Sequence, residues 1–162
     1  MLEAAKKLSQ RLTAAGVRHV FDGGIAVVVY GWPRFTKNIV VMVGDEAFDR
    51  LAGSVQELRA DLPTTVDGVG VDYLPTAVAG DFAEAELSLA FVTGGLPIAR
   101  AEIVICTKLL RHLHRDRTDL VEVLKAGLID RAAIRAYLEE HTPMLVRRWL
   151  ALVDEAEAEG DR

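Results

Sequence analysis

The hydrophobic pattern of this chain turns to a sustained helical period near residue 100, and that change limits the folds open to it. From residue 17 up to that point short β-branched runs alternate with glycine-bearing turns; after it, apolar residues recur every three or four positions. Strand-like segments are read at Val17 to Phe21, Asn38 to Val43, Thr64 to Val66, Val69 to Leu74, Leu89 to Val92 and Leu96 to Ala99. Asp67-Gly68 and Thr93-Gly94-Gly95 stand where hairpins need residues tolerant of positive φ. Helices are predicted from Ile103 to His114, from Asp119 to Ala126, after an Asp130 cap, and from Thr142-Pro143 onward. Strands gathered in the middle and helices at the end describe an α+β domain with a mixed sheet and a trailing helical segment, not an alternating doubly wound fold. We read residues 1–100 as the α/β core and 101–162 as the helical segment packed on it, in one folding unit, because 162 residues are few for two ordinary domains.

The remaining segments are read with the same rules. Leu2, Ala5, Leu8, Leu12 and Ala15 share a helical face that Gly16 ends. Gly44-Asp45 is read as the start of an amphipathic helix carrying Phe48, Leu51, Val55 and Leu58. Ile25 to Tyr30 is a buried strand or a buried helix on periodicity alone. The acidic Asp154 to Arg162 is read as a frayed helix end.

Composition excludes several classes. At 51% hydrophobic and 27% charged the chain is too apolar for disorder. A net charge of -5 argues against general coating of nucleic acid, so any such contact must be focal. A single cysteine rules out an intramolecular disulfide and a multi-cysteine zinc site, and Cys106, inside the run Ile103 to Cys106, reads as a small core residue. The first residues lack the apolar stretch of a signal peptide and no window is long enough to span a bilayer, so a cytoplasmic protein without membrane contact is expected.

Gly23-Gly24, the apolar Ile25 to Tyr30, then Arg34-Phe35-Thr36-Lys37 and the run Asn38 to Val43 together resemble the signature of small nucleotidyltransferase-fold proteins, of the minimal nucleotidyltransferase and AbiEii-type abortive-infection toxin kind. In that family a Gly-Gly or Gly-Ser pair opens a helix, and a strand after an Arg-x-Thr-Lys run carries Asp-x-Asp. The resemblance implies a helix after Gly24. Ala101 to Lys108, Arg115 and Asp119 to Leu124 are similar to the family's helical half, with Thr118 where a lysine is usual before the aspartate.

Two aspartates separated by one residue share a strand face and can grip the same pair of divalent ions, while a third carboxylate on a neighbouring strand completes the clamp. Here the matching pair reads Asn38 and Val40, and only Asp72 stands at the third position. Loss of two negative charges from a low-dielectric cleft weakens its attraction for a divalent cation by several kcal/mol, on the order of what one neutral amide does not restore. No cofactor is therefore expected; Mg²⁺ and an NTP are what an active form would need. Gly23 and Gly24 are candidates for phosphate approach at a helix start, or simply a tight turn. Lys108, Arg111, His112 and Arg115 at helical spacing read as a solvated face or as a triphosphate or RNA contact; His112 and His114 diverge and chelate nothing. Two functions follow. One is a pseudoenzyme that binds a partner protein or a nucleotide, as in a bacterial toxin–antitoxin pair. The other is a working transferase that recruits Asp45, Glu46 or Asp67 beside Asp72.

Overall fold

The computed structural model of the protein describes residues 1–50, 56–80, 82–111 and 113–160. In chain order the elements are α1 (Leu2–Ala14), β1 (His19–Asp22), α2 (Gly23–Val29), β2 (Asn38–Val43), β3 (Phe48–Arg50), β4 (Gln56–Leu58), β5 (Thr65–Val66), β6 (Val69–Pro75), α3 (Ala83–Glu86), β7 (Phe91–Thr93) and β8 (Leu96–Ile98), followed by α4 (Ala101–Arg111), α5 (His114–Ala126), α6 (Arg131–His141) and α7 (Val146–Gly160). Short 3-10 turns lie at Asp45–Ala47, Thr76–Val78 and Pro143–Leu145. The fold is α+β, a mixed sheet flanked by helices with a C-terminal helical segment.

Six strands form one sheet in the order β5-β6-β2-β1-β8-β7. β2 runs antiparallel to β1 and parallel to β6, β8 runs parallel to β1, and the two edges are hairpins. The Asp67-Gly68 turn takes positive φ at both residues, which matches the twist of the strands it joins. α1 ends as its glycine dictates: the amides of Gly16 and Val17 return to the carbonyls of Thr13 and Leu12. Ser9 of α1 meets His19, so α1 covers the sheet face of His19 and Phe21. Asp22 has the opposite parity in β1 and faces α2 and α4 instead.

α4 is buried from Ile103 through Leu109, on every side of the helix. That is the behaviour of an apolar helix placed between two layers. Ile103 and Val104 join the sheet's core, whereas Ile105, Cys106 and Leu109 join a second core with Leu120, Leu124, Ile134, Leu138, Trp149 and Leu152 from α5, α6 and α7. Burial raises the Cys106 thiol to about 11, which leaves it a protonated core side chain.

Three sequence expectations are corrected. The segment after Gly44 is not an amphipathic helix: a 3-10 turn leads into the β3–β4 hairpin, with Phe48 opposite Leu58. Leu51 and Val55 lie outside the described residues. Few apolar residues at mixed spacing do not choose between the two periods, and here backbone ties choose, since Arg59 donates to the carbonyls of Ala15 and Glu46. The second correction is the helix boundary between α4 and α5, which falls after Arg111, so Arg115 to Thr118 belong to α5. The chain must reverse there because Asp116 on α5 pairs with Lys108 on α4. Third, α7 continues to Gly160, its acidic side chains Glu155, Glu157 and Glu159 held by Arg117, Arg131 and Lys125.

Trp149 is buried in the second core and Trp32 packs against the first. Because α4 contributes to both, Trp32→Phe and Trp149→Phe should each leave one tryptophan whose urea transition superimposes on the far-UV circular dichroism transition. Separate midpoints in either variant would show that the two cores unfold independently.

Candidate functional site

Backbone pairing sets Asp22, Val40 and Asp72 side by side across β1, β2 and β6, and laterally paired residues point to one sheet face. Asn38 is two residues before Val40 and shares that face; its Nδ2 donates to Asp72 Oδ2 at 3.2 Å. The positions that the family signature picks out, Asn38, Val40 and Asp72, are thus neighbours. Gly23 and Gly24 border them at the start of α2.

The two glycines have a packing explanation. A Cβ on Gly23, whose φ is +58°, would lie 2.8 Å from Val40 Cβ and Cγ2, and one on Gly24 would lie 2.6 Å from Thr36 Cβ and Oγ1. Side chains of the 31–37 loop and of β2 therefore occupy the space that a phosphate would need beside these residues. Val40 is the plug: its methyl groups sit on Gly23, between the two carboxylates of the row.

Asp22 is a site residue that the sequence reading missed. It is buried, caps α2 by accepting from the Gly23 amide at 2.7 Å, and accepts from Thr107 Oγ1 of α4 at 2.9 Å. An aspartate directly before a Gly-Gly helix start is the signal that could have found it, since aspartate is a preferred cap. Val40 separates Asp22 from Asp72 in the row, and both Asp22 oxygens are engaged, one by the Gly23 amide and one by the Thr107 hydroxyl. Among the described residues no three His, Cys, Asp or Glu side chains gather into a group able to hold a metal ion. The donor set does not fit the two-metal clamp of an Asp-x-Asp site.

The basic residues are organised differently from a helical stripe. Lys108 is only 2% exposed and donates to Asp116 Oδ1 at 2.8 Å and Asp119 Oδ2 at 2.7 Å. Arg111 also bonds Asp116, and Arg34, from the 31–37 loop, sets its Nε 2.9 Å from Asp119 Oδ1 without hydrogen-bond alignment. Arg115 stands exposed on α5, not on the helix of Lys108, and His112 lies outside the described residues. Of the acids considered for recruitment, Glu46 holds Arg18 and follows the far end of β2 with Asp45, while Asp67 pairs with Lys7 of α1 at 2.7 Å. None of these three is placed beside Asp72.

Burial tends to raise the Asp116 carboxyl, but hydrogen bonds from Arg111 and Lys108 outweigh it and hold the group below its ordinary range. Burial of Asp22 wins in the other direction, against the Gly23 amide, the Thr107 hydroxyl and the charges of Lys108 and Arg111, so its carboxyl is raised. Burial likewise lowers Arg34, with Asp119 opposing and Arg115 adding repulsion. No protein-family model and no curated protein matches this chain.

Two outcomes follow. Asp119→Asn removes the charge that two buried cations share and should cost about 3–5 kcal/mol, measured by urea unfolding. A carboxyl raised in the native state opposes folding more as pH climbs from its ordinary 3.8 through its native value. Asp22→Asn, fixed in the neutral form, should therefore match or exceed the parent's stability near neutral pH, and the difference should shrink toward acid. A destabilised variant whose deficit is the same at both pH values would show that the cap and Thr107 bonds, not burial, govern this position.

Proposed function

We propose that this protein is a catalytically silent nucleotidyltransferase-fold domain that acts by binding a nucleotide or a protein partner, as a component of a toxin–antitoxin pair would. The observation that carries the reading is the lateral row Asp22, Val40, Asp72: an apolar side chain stands at the centre of the face on which such a site needs carboxylates. Asn38 supports it, because its amide is spent as a donor to Asp72, the one carboxylate of the signature positions. The helix opened by Gly23-Gly24 and the lysine and aspartate of the helical half stand in the order that the resemblance implies.

Incubation with radiolabelled NTPs, Mg²⁺ and cell extract should give no transfer above a heat-denatured control. Robust labelling that Asp72→Ala abolishes would overturn the silent reading in favour of a working transferase.

The loss is confined to a few positions, so it is reversible by design. Asn38→Asp combined with Val40→Asp rebuilds a carboxylate cluster on one face with Asp72, and should create divalent-ion binding that neither change alone provides. Crowded carboxylates repel, so the double variant should melt lower in chelator and recover with Mn²⁺ by ligand linkage. A melting temperature indifferent to Mn²⁺ would mean that the signature is misaligned to this strand.

A further inference from the structure

Cations gather where the 31–37 loop meets α4 and α5, in a protein whose net charge is -5. Arg34, Lys108, Arg111 and Arg115 meet there, and the carboxylates that answer them directly are Asp116 and Asp119. Counting buried Asp22 as a third anion still leaves a positive charge over. Lys37, in the same loop as Arg34, is exposed and next in sequence to Asn38, whose amide bonds Asp72, so Asp72 answers it in the count and the surplus stays at one. The like charges are close enough that Arg111 and Arg115 both disfavour the charged form of Arg34. Repulsion of this kind is relieved when an anion binds.

Between Arg34 and Lys37 stands Phe35, 86% exposed. Among the described residues it is the most exposed of the large apolar side chains, and the loop that carries it is held at its base by Arg34 on Asp119 and by Thr36 packed on Gly24. An aromatic ring presented to solvent by an anchored loop, with exposed Lys37 two residues along the chain and exposed Arg115 close to Arg34, suits the two contacts that an unpaired nucleotide offers, a phosphate and an open base face. A triphosphate alone would use the charge and leave the ring unexplained. A duplex, with its bases stacked inside, would do the same.

We infer that the 31–37 loop and the adjoining ends of α4 and α5 form a binding site for single-stranded nucleic acid, with Phe35 stacking on a base, the exposed Lys37 and Arg115 taking the phosphates, and Arg34 and Arg111, held by Asp119 and Asp116, as the scaffold beneath them. The site needs no metal ion. It deepens the binding role proposed above, yet it rests on the exposed ring and the exposed cations of this corner and stands if the transferase ancestry does not.

The test uses the intact chain with fluorescently labelled single-stranded RNA, single-stranded DNA and duplex of mixed sequence, in chelator, followed by anisotropy. Either single strand, or both, should bind more tightly than the duplex, with affinity falling as salt rises. Phe35→Ala should weaken single-strand binding about tenfold while leaving the melting temperature in place. Lys37→Ala and Arg115→Ala should each flatten the dependence of log affinity on log salt by about 0.7. Absence of single-strand binding at about 50 mM salt, a preference for duplex, binding of free ATP without the oligonucleotides, or affinity untouched by Phe35→Ala would each overturn the inference. A metal requirement for binding would overturn it too, while leaving room for the transferase reading; labelling activity without oligonucleotide binding would separate the two in the other direction.

Discussion

Lys108 keeps a charged ammonium almost wholly out of water, and the helical half of the protein is arranged to make that possible. Desolvating such a group costs several kcal/mol, on the order of what only close and well-aligned counter-ions offset. Asp116 and Asp119 supply them from the first turns of α5, which forces the chain to reverse directly after α4. Asp119 also holds Arg34, so the loop between α2 and β2 is tied to the same point. One residue earlier on α4, Thr107 reaches Asp22 at the end of β1. Sheet, loop, α4 and α5 are thereby joined through two neighbouring residues of a single helix.

This arrangement bears on the candidate site in two ways. It commits Lys108 and much of Arg111 to internal carboxylates, so these side chains act as scaffold for the basic corner more than as free ligands for phosphate. It also leaves the sheet face beside the network apolar at its centre, where Val40 packs on Gly23. Glycine is required at residue 23 by both its positive φ and the approach of Val40, so the glycine pair is explained without a ligand. Buried ion pairs are seldom a source of net stability, but they punish any alternative placement of their members. The position of α5 relative to α4 is an example, because a slip of either helix would strand three charges.

Much of the architecture was legible in the residues. Asp67-Gly68 and Gly94-Gly95 carry their hairpins because few other residues accept those φ values. Asp130 caps α6 through two amides, as an aspartate before a helix is able to. Asn38 to Val43 is a strand at the bounds its β-branched content suggests. The adjacency of Asn38 and Val40 with Asp72 was visible only through the resemblance, since sequence spacing says nothing of which strands pair.

What the sequence determined by itself is local: turn chemistry, caps, glycine stops and the strand or helix period of long segments act within a few residues, so they can be read there. What the tertiary structure decided is every choice between near-equal local options. The segment from Phe48 became a hairpin because Arg59 and the pairing of Phe48 with Leu58 hold it so, and the break after Arg111 exists because Asp116 must face Lys108. Asp22 and Asp119 gained their roles the same way, 85 and 85 residues from the partners Thr107 and Arg34 that define them. A buried charge selects its partner by distance in space, and that distance is fixed only when the chain has folded.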